Sequence, residues 1–224
     1  MKSVAAAWVA SYRLQLHAGF AFDDAAAQLP YLKRLGISHL YLSPILKARA
    51  GSTHGYDVVD HALVNPELGG EAGFLRLVAE ARALGMGIVV DIVPNHMAVG
   101  GNDNALWLDL LEWGPRSRAA RVFDVDWDVQ DLELNGKILL PLLSASYGET
   151  LEKGELRFCY DASLGRFHFE HFEHRFPLSS KLYAPLLRAG GKALAGWAAR
   201  FRAASTATRF QATCQEMAVD AQQA

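Results

Sequence analysis

The chain has 224 residues, with 22 Lys and Arg against 24 Asp and Glu, and a formal net charge of −2. This length suits one domain or a domain and a half, and a hydrophobic fraction of 51% can build a sizeable core, which argues against intrinsic disorder. The basic residues are scattered, so the sequence lacks the patch that nucleic acid or an anionic membrane surface would require.

The chain start and the cysteines bear on location. Lys2 precedes an apolar run, as in a secretory signal peptide, but a single Lys is a weak basic region. No apolar stretch approaches the roughly 20 residues needed to cross a bilayer. Cys159 and Cys214 form no CxxC motif, which argues against a disulfide scaffold or a zinc site. We therefore expect a reduced, cytoplasmic protein.

The first elements are a strand and a helix. Residues 11–16 alternate as in a strand, and Asp23 is a candidate cap for a helix over 24–35 that Gly36 would end. Pro30 is expected to kink or divide this helix. The leucines at helical spacing should face inward: Leu29, Leu32 and Leu35.

Two further strands follow in a regular order. Residues 37–43 resemble a buried strand, 44–70 a loop, 71–84 an amphipathic helix and 88–93 a third strand. Alternating strands and helices indicate an α/β fold with a parallel sheet. The first strand lacks the Gly-x-Gly-x-x-Gly loop of dinucleotide-binding folds, whereas polar residues follow the strand ends, as in a (β/α)8 TIM barrel.

The pattern changes after the third strand. Residues 104–113 look helical, and 123–172 resemble short strands and turns, including KILLPLL at 137–143. A TIM barrel needs eight strands, so we expect only its N-terminal part here, with a β-rich inserted subdomain after the third strand. The predicted division has three parts: 1–96 as the first three β/α units, 97–180 as the inserted subdomain, and 181–224 as a helical segment of the incomplete barrel.

The segment from Asp91 to His96 is the most informative for chemistry. Asp91 shares a strand face with Val89 and Val93, so its carboxylate can project from the end of the strand toward a pocket. It can equally pair with a buried Arg to hold the fold. Asn95 and His96 begin the next loop, where they could bind hydroxyl groups.

A second polar group lies in the loop after the second strand. Tyr56 can lay its ring against a sugar, while His54 and Asp57 can bond hydroxyls; alternatively Tyr56 packs and Asp57 caps the turn. Farther on, a metal site at His168, His171 and His174 is conceivable, but the flanking phenylalanines favour a strand that would separate them.

These motifs resemble the α-amylase superfamily (glycoside hydrolase family 13) and, within it, the trehalose-forming glucan mutases. Residues Asp91–His96 resemble the first signature region of that superfamily. Residues His54–Asp57 and Asn65–Gly70 resemble the loop after its second barrel strand. The resemblance runs from about residue 10 to residue 190. The supporting stretches are Ser11–Leu16, Leu40–Leu46, Gly51–Asp57, Phe123–Trp127, Lys137–Pro141, Gly154–Leu156 and His174–Leu178.

The resemblance implies an isomerase, an intramolecular transglycosylase that converts the reducing-end α-1,4 link of a maltooligosaccharide to an α,α-1,1 trehalose link. The implied mechanism is retaining, through a glycosyl-enzyme. An α-glucan hydrolase of the superfamily and a non-catalytic carbohydrate-binding module are the alternatives. The resemblance also implies no cofactor and no required metal, although Asn95 occupies a position that binds calcium in some amylases.

Carried over to this sequence, the resemblance makes Tyr56 a platform under the sugar, His96 a hydroxyl ligand, and Asp91 a support that pairs with an Arg from a later strand. The family's nucleophile lies in a Gly-x-Arg-x-Asp motif on the fourth strand and its acid is a Glu after the fifth. Neither motif occurs here. We therefore assign no catalytic carboxylate, expect both beyond residue 224, and expect the chain alone to be inactive.

Overall fold

The computed structural model describes residues 7–223, and its contacts divide the chain into two compact units between Val99 and Gly100. Residues 1–6, where a signal peptide would begin, lie outside the described part. The three-part division at 97 and 181 stays a prediction. Among the described helices, none is both long and apolar enough for a membrane span.

The first unit contains a parallel sheet with the strand order β1-β2-β5. This confirms the three predicted parallel strands and the two helices between them. Its elements are β1 (Ser11–Leu14), α1 (Phe22–Arg34), β2 (His39–Leu42), β3 (Leu46–Ala48), β4 (Val58–Val64), α2 (Gly70–Ala83) and β5 (Gly87–Val90). Leucines of the strands and helices form its core, for example Leu29, Leu40 and Leu77.

Helix α1 differs from its prediction in three details. The Asp24 carboxylate accepts a hydrogen bond of 2.8 Å from the Ala21 amide, and Ala21 is the residue at the N-cap. The predicted cap at Asp23 is therefore wrong. The helix continues through Pro30 without division, because burying the leucines around it outweighs one lost hydrogen bond. Leu35 lies after the last helical turn and is 56% exposed instead of facing inward.

The predicted loop over 44–70 contains regular structure. Strands β3 and β4 pair antiparallel, with Leu46 opposite Val64 and Ala48 opposite Val58. The Gly-containing segment 49–57 connects these strands, so the turn signals marked the tip of a hairpin instead of a long loop. The hairpin fixes both ends of the segment that carries Tyr56.

The second unit combines an antiparallel sheet with helices around one core. Its elements are α3 (Ala105–Trp113), α4 (Tyr147–Glu152), β6 (Arg157–Asp161), β7 (Arg166–His171), β8 (His174–Pro177), α5 (Tyr183–Ala189), α6 (Ala195–Ala203) and α7 (Ala207–Gln223). Phe167 and Phe169 of the sheet pack against a core built by Tyr183, Phe201 and Phe210. The predicted strand at 137–143 is wrong, since this segment has no regular structure and Leu139 is 72% exposed.

Candidate functional site

Polar side chains of the first unit collect where β1, β2 and β5 end. The register aligns Arg13 with Tyr41, and Tyr41 with Val89, so these residues form one row across the sheet. Asp91 follows Val89 by two residues and therefore shares its face. Because parallel strands end at the same edge of a sheet, Arg13, Tyr41 and Asp91 converge there.

The Asp91 carboxylate is the centre of this group. Its Oδ2 accepts hydrogen bonds from the Tyr41 hydroxyl at 3.2 Å and from Arg13 Nη1 at 3.4 Å. The Tyr56 hydroxyl donates a third, short bond to the same oxygen and itself accepts from Arg13 Nη2 at 3.2 Å. Asp91 therefore reaches across the end of the sheet to the Tyr56 loop.

These bonds set the charge of the site. The Tyr56 hydroxyl, followed by Tyr41 and Arg13, holds the pKa of Asp91 below its ordinary value, while the bond to Asp91 raises the pKa of Tyr56. At neutral pH Asp91 is a carboxylate whose Oδ2 already has three donors. This arrangement supports Tyr56. Asp91 pairs with an Arg, as in its structural alternative, but Arg13 lies in the first strand and its side chain is 37% exposed instead of buried. The pairing with an Arg from a later strand stays a prediction.

The loop that carries Tyr56 is held in a tight turn. Gly55 has φ +79°, and a Cβ there would lie 2.7 Å from the Pro44 carbonyl oxygen, so the turn requires glycine. Ser52 Oγ donates to Asp57 Oδ1 at 2.5 Å and accepts from the Gly55 amide at 3.1 Å. Asp57 thus braces the turn, as its structural alternative predicted.

The two histidines lie on either side of Tyr56. His54 Nδ1 accepts from the Tyr56 amide at 3.0 Å, so a neutral His54 carries its proton on Nε2. His96 Nε2 lies 2.9 Å from the Tyr56 carbonyl oxygen, to which it can only donate. His96 Nδ1 is 3.0 Å from Asn95 Oδ1. The structure therefore brings all six predicted site residues to one region.

Sequence reasoning missed three members of the site: Arg13, Gln15 and Tyr41. Gln15 Nε2 lies 3.2 Å from the carbonyl oxygens of both Thr53 and His54, and Gln15 Oε1 accepts from Arg13 Nη2 at 3.2 Å. Gln15 therefore ties the Tyr56 loop to the first strand. The available signal was the alternation of β1, which places Arg13 and Gln15 on one face at the end of the strand.

The alternative metal site in the second unit is arranged differently from its prediction. His171 and His174 are cross-strand partners and share a face, because a turn separates them, while His168 faces the other side. His168 instead lies with Cys159 and Glu170, whose candidate ligand atoms are all within 4.8 Å of one another.

This cluster is already bonded within the protein. Arg175 Nη2 lies 3.1 Å from His168 Nδ1, and Arg157 Nη2 lies 2.7 Å from Glu170 Oε2. A guanidinium only donates, so His168 carries its proton on Nε2 and offers it to Glu170 Oε1 at 3.2 Å. Two guanidinium groups beside the cluster make it unfavourable for a further cation.

The Tyr56 site suits a neutral, hydroxyl-rich ring. The Tyr56 side chain is held at its hydroxyl, and the residue remains 37% exposed. Imidazole groups of His54 and His96 border it, and such an aromatic ring flanked by hydrogen-bonding groups is a common surface for sugar recognition. Asp91, by contrast, is an ionised carboxylate with a lowered pKa whose Oδ2 accepts three hydrogen bonds, which does not suit a general acid.

Comparisons with known proteins show which chains this one is similar to. Residues 23–105 match the family described as Alpha amylase, catalytic domain. The putative maltooligosyl trehalose synthase of Mycobacterium tuberculosis (strain CDC 1551 / Oshkosh) is 52% identical over 143 residues, covering 61% of this chain and 18% of the relative. This chain is similar to a part of that enzyme.

Solved structures give the same result. A crystal structure of a maltooligosyl trehalose synthase matches with TM-score 0.70 and 42% identity, over 77% of this chain and 23% of that one. The maltooligosyltrehalose synthase from Arthrobacter ramosus matches with TM-score 0.65 and 44% identity, over 76% and 21%. The chain thus spans about a fifth of the length of the relatives it matches, and its first unit, with parallel strands joined by helices, contains most of the residues that match the α-amylase catalytic domain.

Proposed function

We propose that the whole protein is a (1→4)-α-D-glucan 1-α-D-glucosylmutase, a maltooligosyltrehalose synthase. It would convert the reducing-end α-1,4 link of a maltooligosaccharide to an α,α-1,1 link. The observation that carries the proposal is the bonded group of Tyr56, Asp91 and His96 at the sheet edge, in a chain whose relatives bear this name. This chain would supply one wall of the sugar cleft.

Each residue of the group has a role that its bonds support. Tyr56 is the platform under the sugar ring, held by the Asp91 carboxylate. His96 bonds a sugar hydroxyl, and its contact with the Tyr56 carbonyl keeps it beside that platform. His54, Asn95 and Asp57 border and brace this wall.

The reacting carboxylates would be the Asp of the Gly-x-Arg-x-Asp motif on the fourth barrel strand and the Glu after the fifth strand. Neither motif occurs in these 224 residues. In a retaining scheme one carboxylate forms a glycosyl-enzyme and a second acts as acid, then base. The freed glucose must attack through its anomeric hydroxyl before water does, so the cleft must exclude water. We place residues 97–180 as a subdomain inserted after the third barrel strand, residues 181–224 as a helical segment of the barrel, and the protein in the cytoplasm.

The deciding experiment incubates the full-length protein with maltopentaose. A mutase lowers the number of reducing ends and yields a non-reducing product that a glucoamylase cannot fully degrade. A steady rise in reducing ends identifies a hydrolase instead. Binding of maltopentaose with no change in either quantity identifies a carbohydrate-binding module.

A matched pair of variants tests the wall itself. We expect Tyr56→Ala to lower kcat/KM by about tenfold or more, because the platform is lost. Tyr31→Ala is the control, since Tyr31 is an exposed tyrosine of α1 with 54% accessibility. Equal kcat/KM values for both variants would reject the platform role.

A further inference from the structure

The second unit contains a cavity of about 700 Å³ that the proposed function does not use. Its walls come from α3, the turn after it, the start of β7, β8 and the first turns of α7. Such a volume lies within the range of small-molecule sites. The side chains that line it show which ligand chemistry it favours.

Four arginines line this cavity, and two of them have carboxylate partners. Arg166 Nη1 lies 2.7 Å from both carboxylate oxygens of Glu112, which is buried. Arg175 Nη2 lies 2.9 Å from Asp161 Oδ2. These two guanidinium groups are therefore neutralised within the protein.

The other two arginines, Arg116 and Arg118, make no such pair. Within residues 7–223 no ion pair to a carboxylate joins either of them. Arg116 Nη2 has only a long contact, 3.4 Å, to Ser180 Oγ, and its guanidinium lies 5.5 Å from the centre of the Trp113 ring.

The remaining acidic group of the lining does not balance this charge. The Asp109 carboxylate accepts a 2.5 Å hydrogen bond from Ser117 Oγ, and among the described residues it is the only lining carboxylate besides Glu112. Since Glu112 is paired with Arg166, the unpaired lining groups sum to an excess of positive charge. The cavity therefore favours an anion.

We propose that this cavity binds a small phosphate-bearing molecule through Arg116 and Arg118. Guanidinium groups match phosphate oxygens with paired N–H donors, and two of them can share the three terminal oxygens of a phosphate. Trp113 and the polar side chains of Thr208 and Gln211 also line the cavity. They provide an aromatic ring and hydrogen-bonding groups for the remainder of a ligand such as a sugar phosphate.

The test is calorimetric titration of the purified protein with inorganic phosphate, glucose 1-phosphate and maltose. We expect both phosphate ligands to bind and their affinity to fall with added salt, with glucose 1-phosphate the tighter if the cavity also holds the sugar. Equal affinities assign the site to free phosphate. Maltose at the same concentration distinguishes this cavity from the Tyr56 site, since the heat of maltose binding should not depend on Arg116 or Arg118.

Variants decide whether the arginines are responsible. We expect Arg116→Gln and Arg118→Gln each to weaken phosphate binding at least tenfold, and Arg209→Gln, an exposed arginine of α7 outside the lining, to leave it unchanged. Arg116→Lys and Arg118→Lys should retain part of the affinity, because lysine keeps the positive charge but lacks the planar, paired N–H donors of arginine. Far-UV circular dichroism checks that each variant is folded.

Absence of phosphate binding, or an affinity that both glutamine variants leave intact, overturns the proposal. Neither result depends on glucan activity, so the proposed function is tested separately.

Discussion

The ion pair between Glu112 and Arg166 offers the sharpest test of the second unit. The Glu112 side chain is 5% exposed and that of Arg166 is 32% exposed, and both Glu112 oxygens lie 2.7 Å from Arg166 Nη1. Arg166→Met keeps most of the unbranched apolar stem of the side chain and removes the charge. The variant leaves a buried carboxylate with no cation beside it.

We expect this change to lower the free energy of unfolding by about 3 kcal/mol at neutral pH, the low end for breaking a buried pair, because Arg166 is partly solvated. Burial raises the pKa of Glu112 despite the opposing effect of Arg166. Removing Arg166 raises that pKa further.

The pH dependence follows from the sign of this shift. A carboxyl whose pKa is raised by folding binds a proton more tightly in the folded state, so it destabilises the fold as pH rises through that raised pKa. In the variant the penalty is therefore greatest at neutral pH. Near pH 4 Glu112 is protonated, and the loss should shrink to about 1 kcal/mol, the contribution of the hydrogen bonds.

Urea unfolding followed by tryptophan fluorescence at pH 7 and pH 4 measures both values. Arg157→Met is the matched control, because its partner Glu170 lies in an exposed pair at 2.7 Å whose loss should amount to less than about 1 kcal/mol. A neutral or stabilising effect of Arg166→Met at pH 7, or an equal loss at the two pH values, would show that the Glu112 carboxylate does not depend on Arg166.

Three further results are expected in the first unit. Tyr56→Phe removes the largest influence that lowers the pKa of Asp91, so carboxyl NMR should show this pKa rising toward its ordinary value. A lowered pKa of Asp91 stabilises the fold at neutral pH, and this stabilisation is lost as the pH falls through that pKa. Acid unfolding of Tyr56→Phe should therefore begin at higher pH than that of the unchanged protein. An unchanged pKa of Asp91 would contradict the hydrogen bond from the Tyr56 hydroxyl. Gly55→Ala should destabilise the loop by about 1–2 kcal/mol, seen as a lower urea midpoint, because its Cβ would meet the Pro44 carbonyl oxygen; an unchanged midpoint would show that the turn can relax. Arg13→Gln should weaken maltooligosaccharide binding to the full-length protein with little loss of helix signal, and unchanged calorimetric affinity would separate Arg13 from the site.

The long periodic segments were predictable because their pattern is local. The three parallel strands and two helices of the first unit follow from apolar spacing along the chain. The hairpin was not predictable in this way, since β3 has only three residues and its pairing with β4 is irregular in register. Val58 is buried through contacts made in three dimensions. Turn residues at Gly51 and Gly55 indicated a change of direction without indicating what lay on either side.

The chemical groups of the site can be recognised along the chain: a tyrosine, two histidines and carboxylates in loops that follow strands. Their hydrogen-bond partners depend on the folded sheet. Hydrogen-bond partners far apart in the chain, such as Arg13, Tyr56 and Asp91, meet because the parallel register places the strand ends side by side. No local pattern encodes that meeting, since it depends on which strands are neighbours and which residues stand at the same level of the sheet.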